Sequence, residues 1–152
     1  MNKTITRAQF ELQTTWFIKE LLNISEEDSN KQTADHVNSI KWIAGHILNT
    51  RMSLLSILTG TEHDLHFNAL FGKGSPGKVT DAFPTIHEIS NKWAVISSDL
   101  TGCLQNISDQ TLASAPPFQT SVPDTTLHGL IAYMVSHEAF HLGQIAVLKK
   151  LL

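Results

Sequence analysis

One cysteine, Cys103, occurs in 152 residues. An internal disulfide is thereby excluded, and a thiolate cage around a metal ion becomes implausible. In its apolar helical segment Cys103 reads as a structural thiol. No stretch reaches the about twenty consecutive apolar residues that a membrane-spanning helix needs, so no membrane partner is expected. Neither sign of charge dominates. Against 14 Asp and Glu stand 11 Lys and Arg, a formal net charge of −3, without the basic patch that nucleic acid demands. Alternation of period two is also missing, as are internal repeats and low-complexity tracts. The first amphipathic segment carries Glu11 and Lys19 and is no signal peptide, which makes the cytoplasm the expected location.

What remains is helical periodicity. Residues 1–152 are expected to form one domain, all-α, built from four amphipathic helices. The first follows a capping box at Thr6-Arg7-Ala8-Gln9 and repeats through Phe10, Thr14, Phe17, Leu21 and Ile24. Residues 25–37 are polar and read as a connection, with Asp35 and His36 solvated. The second helix starts near Asn38 or Ser39, carries Ile40, Ile43, Ile47, Leu54 and Ile57, and stops at Gly60, a left-handed C-terminal residue.

Residues 61–84 form a long connection marked by Gly72, Gly74, Pro76 and Gly77, of the kind that serves as a lid or binding segment. Its Gly72 to Lys78 spacing imitates a phosphate loop, but Val79 follows where Ser or Thr is required, so nucleotide binding is set aside. A second capping box, Thr85 with Glu88, opens the third helix, whose stripe is Ile86, Ile89, Trp93, Ile96, Leu100, Cys103 or Leu104, and Ile107. After a proline-rich break over residues 108–123, the fourth helix is expected over 124–151, capped by Asp124, with Lys149 and Lys150 opposing its C-terminal dipole. Trp16, Trp42 and Trp93 are read as core aromatics. The predicted fold is a four-helix bundle with long connections, and the length of residues 61–84 favours a crossover between helices two and three.

His137 and His141 lie four apart in the fourth helix and continue the apolar stripe of Leu127, Leu130, Met134, Ile145 and Leu148. Chance alone gives about 0.4 such pairs among eight histidines, so spacing by itself decides little. Position decides more, because buried imidazoles need partners. Residues four apart on a helix aim at a common point and can share one divalent ion. His46, bordering the core face of helix two, supplies a third ligand from a facing helix. Three protein ligands leave a position open for water or substrate, and neutral imidazoles fit Zn, Ni, Co, Fe(II) or Cu. Asn49, Thr50, Tyr133 and Gln144 are candidate acceptors for the second ring N–H of each histidine. His63 and His66 would be spare ligands, and more simply solvated loop residues.

Trp42-Ile43-Ala44-Gly45-His46-Ile47 in helix two and His137-Glu138-Ala139-Phe140-His141-Leu142-Gly143-Gln144-Ile145 in helix four resemble the DinB-like (YfiT-like) metal-dependent four-helix-bundle family. The resemblance covers the chain in length and helix order. It implies a divalent metal ion held by His46, His137 and His141, and a homodimer. It also implies, for some members, transfer of a low-molecular-weight thiol such as bacillithiol to a small-molecule substrate.

In such a reaction the thiol would lose its proton at the metal and attack an electrophilic carbon. Glu138, about 100° around the helix from His137, would orient a ligand or accept a proton, or else form an ordinary ion pair. The alternatives are metal-assisted hydrolysis of a small molecule, and a non-catalytic metal-binding or interaction module. His-Glu-x-x-His is also the zinc-protease motif, but no His, Asp or Glu follows His141 to complete it.

Overall fold

The computed structural model describes residues 3–152 and is built from helices alone among them. Four are long: α1 (Lys3–Leu21), α3 (Ile40–Thr59), α5 (Ile86–Asn106) and α7 (Leu127–Leu148). At 1.5 Å per residue each spans about 30 Å. Three short helices, α2 (Glu26–Asn30), α4 (Leu65–Phe71) and α6 (Asp109–Leu112), lie in the connections.

Local chemistry sets several boundaries. Ser39 caps α3 by accepting from the Trp42 amide, and Gly60 ends it at φ 72°, a backbone conformation that costs glycine nothing. The Thr85 and Glu88 box opens α5 as expected. Elsewhere the expected ends move. Thr6 is no cap, because α1 begins at Lys3 and Thr6 is buried within it. Helix α7 starts at Leu127 rather than residue 124, since Asp124 turns its carboxylate onto the Thr126 amide and hydroxyl.

Lys149 also departs from the expectation. Its ammonium donates to the carbonyls of Lys19, Glu20 and Leu22 and so completes the C-terminus of α1 instead of its own helix. Trp16 is 42% exposed, whereas Trp93 is fully buried and stacks on Phe17.

Two apolar clusters fill the bundle. At one end Phe17 and Leu21 of α1, Ile40 to Leu48 of α3, Ile86 to Trp93 of α5 and Leu142 to Leu148 of α7 pack together. At the other, Phe10 meets Leu54, Leu100, Leu104 and Leu127 to Val135. These groupings fix the chain directions. Helices α3 and α5 run parallel, and α1 and α7 run opposite to both. The segment between α3 and α5 must therefore travel the length of the bundle, which is the crossover that its length suggested. On its way α4 packs along α3, with Phe67 and Phe71 buried in the first cluster.

Candidate metal centre

His46 is buried on α3, and His137 and His141 stand one turn apart on α7, the helix packed against it. The Nε2 of His137 lies 3.3 Å from that of His46 and 3.2 Å from that of His141. One ligand atom from each ring falls within 4.8 Å of the others, so the three can hold a metal ion. Nitrogens bound tetrahedrally at about 2.0–2.1 Å are about 3.3 Å apart, which matches both measured spacings.

The remaining ring nitrogens show which atoms carry protons. Nδ1 of His46 donates to the Phe71 carbonyl at 2.7 Å, and Nδ1 of His141 donates to Gln144 Oε1 at 2.7 Å. Both Nε2 atoms are therefore lone pairs. They face His137 Nε2, which can satisfy only one of them with a proton, whereas a cation satisfies all three. The donor set fits a divalent ion on that ground. His137 differs from its neighbours in that its buried Nδ1 has no hydrogen-bond partner.

Burial lowers the pKa of each ring. His137 is pushed down to about 4, first by desolvation and then by His141 and His46. His46 is lowered by desolvation, partly opposed by its bond to Phe71, and His141 is lowered likewise against its bond to Gln144. All three are thus uncharged at neutral pH, the form in which imidazole binds a metal.

The second-sphere acceptors are partly those expected. Gln144 serves His141, but the partner of His46 comes from α4, a helix that periodicity did not reveal. Thr50 bonds to the His46 carbonyl, and Asn49 bonds to Asn68. Gly45 explains how α4 comes so close: a β-carbon there would lie 2.3 to 2.7 Å from atoms of the Phe71 ring, well inside contact distance. His63 and His66 stay outside the cluster.

Glu138 is fully buried and turns away from the imidazoles into the bundle centre. Its two oxygens accept from Arg51 Nε at 2.8 Å and Nη2 at 2.5 Å. Arg51, 1% exposed, also donates to Thr14 Oγ1, Ser97 Oγ and the Phe10 carbonyl, and its guanidinium covers the Trp93 ring at 3.8 Å. All four long helices meet on this one cation. Burial pushes the Glu138 carboxyl up while the guanidinium pulls it down. A signal for the pair existed in the sequence, since Arg51 and Glu138 each interrupt the apolar stripe of their helix with a charge.

Among the described residues no helix is long and apolar enough to cross a membrane. Comparison with known proteins supplies two findings. The family model of the DinB superfamily matches residues 9–145. A crystal structure of a conserved protein from Enterococcus faecalis superimposes with a TM-score of 0.77, at 16% identity, over 99% of this chain and 97% of that one. No curated protein matches the sequence.

Proposed function

Since the chain belongs to the DinB superfamily, we propose that it binds one divalent metal ion, Zn, Ni or Fe(II), through His46, His137 and His141 and acts as a thiol-dependent S-transferase on a small-molecule substrate. The convergence of three Nε2 atoms, two with their tautomer fixed from behind, carries this reading. A metal held there would supply a Lewis acid able to ionise a thiol near neutral pH.

The protein's own groups divide the remaining work. Phe71 and Gln144 orient the rings. Arg51 and Glu138 fix α7 against α3, so Glu138 serves as a positioning residue in this reading. A cavity of about 450 Å³ beside His46 and His137 would admit the substrate. Among the described residues no carboxylate lines it. A thiol or a water ionised beside the imidazoles would therefore pass its proton to solvent rather than to a carboxylate of the cavity. A homodimer in the cytoplasm completes the proposal. Ile5, Leu12 and Trp16 lie exposed along α1 and offer an apolar face for a second copy.

Elemental analysis of protein purified without chelator or nickel resin tests the metal. About one divalent ion per chain is expected, lost in His46→Ala and His137→Ala, and the loaded protein should consume a cellular thiol in the presence of a suitable electrophile. Absence of metal after reconstitution would overturn the site. Metal without thiol consumption across a panel of thiols and electrophiles would overturn the transferase.

A further inference from the structure

The cavity beside the imidazoles extends to Lys73 and to the 118–121 loop. Among the described residues that line it, Lys73 is the one Lys, Arg, Asp or Glu, and its ammonium has no hydrogen-bond or ion-pair partner among the described residues. Glu138, next to His137 in the chain, has its charge taken up by Arg51. Three imidazoles bring no negative charge, so a divalent ion among them would keep its full charge. With such an ion bound the cavity would be electropositive at both ends, and no carboxylate of the described residues lines it.

Two of the side chains that line it, Asn49 and His137, each hold a buried polar atom without a partner. Asn49 is 5% exposed and donates Nδ2 to Asn68 Oδ1 at 3.0 Å, which leaves its own Oδ1 without a donor. His137 Nδ1 lacks an acceptor. Leaving such atoms unpaired is costly, and a ligand that pairs them recovers part of that cost. Phe118 and Tyr133 add aromatic walls.

We propose that this cavity is a subsite for a small carboxylate that also carries a hydroxyl or amino group. Lys73 holds the carboxylate, and Asn49 Oδ1 accepts from the hydroxyl or amino group. The proposal rests on the metal reading for its place in catalysis, whereas the pairing with Lys73 and Asn49 stands without it.

Three probes separate the contributions: 3-phenyllactate, 3-phenylpropionate, which lacks the hydroxyl, and 3-phenyllactamide, which lacks the charge. Each is titrated by calorimetry or NMR into zinc-loaded and into chelator-treated protein. Phenyllactate should bind about tenfold or more tightly than either comparator. Lys73→Ala should erase its advantage over the amide, and Asn49→Ala its advantage over phenylpropionate, with zinc content unchanged in both variants. Equal affinity for the three probes, or an advantage over the amide that survives Lys73→Ala, overturns the subsite. Preferences kept by protein that binds no zinc discard the metal reading alone; zinc binding without preferences discards the subsite alone.

Discussion

The ring of Phe71 occupies the space where a β-carbon on Gly45 would stand, and the carbonyl of the same Phe71 accepts from His46 Nδ1. One small residue in α3 thus admits α4 and, through it, sets the orientation of the neighbouring imidazole. Gly45→Ala should cost about 1–3 kcal/mol in urea unfolding, the usual range for overpacking, and should weaken zinc affinity by about tenfold or more through the displaced acceptor. An alanine variant with parental stability and zinc affinity would show that α4 does not position His46.

Gln144 gives a milder handle on the same principle. It holds His141 from the side remote from the cluster. Gln144→Ala should lower zinc affinity about ten- to a hundredfold with little change in thermal stability, and Gln144→Glu should recover affinity by giving the ring a charged acceptor. Competition with a fluorescent chelator reads both. A loss of stability as large as the loss of affinity would make Gln144 a packing residue instead.

The Arg51 and Glu138 pair makes a prediction about energetics. Removing one partner strands a buried charge, so Arg51→Met or Glu138→Met alone should cost about 3–5 kcal/mol, whereas the two together should cost clearly less than the sum. Urea unfolding of the single and double variants checks this. Additive losses would mean that the two residues act independently.

Acid should act through the histidines. Their unfolded pKa lies near 6.5, and burial holds all three lower in the folded chain, His137 at about 4. The folded state therefore binds fewer protons than the unfolded state between those values. Stability of the metal-free protein should fall as pH drops through 6.5 and level off below about 4 for the His137 contribution. His137→Gln should flatten that slope in unfolding curves taken from neutral to acidic pH, and bound zinc should be released over the same range. A variant with the parental slope would remove His137 as the titrating group.

How much of the molecule is legible in its sequence follows from where each interaction lies in the chain. Ser39, Gly60 and the Thr85 box act on amides within four residues, and local sequence reveals them. The three histidines can be read because two share a helical face and the third sits in a second recognisable stripe. The Phe71 acceptor cannot. It is a backbone atom of a seven-residue helix inside a glycine-marked connection, although Asp64 ahead of the Phe67 and Phe71 pair is a usable capping signal. Partners 87 positions apart, such as Arg51 and Glu138, are set by packing; periodicity shows only that each points inward. The start of α7 lies later than expected because Asp124 finds a nearer use for its carboxylate in the turn before the helix.

The parallel course of α3 and α5 bears on how the molecule assembles. Neighbouring helices that run antiparallel can close as a hairpin with a short loop, but these two meet only after residues 60–85 have stretched back along the bundle. That closure costs entropy before any core packing repays it, and the faces it brings together are distant in sequence. Refolding should therefore be slower than in bundles of the same size whose helices all pair as hairpins. Shortening the 60–85 segment, which stabilises many loops, should instead prevent α5 from reaching its place.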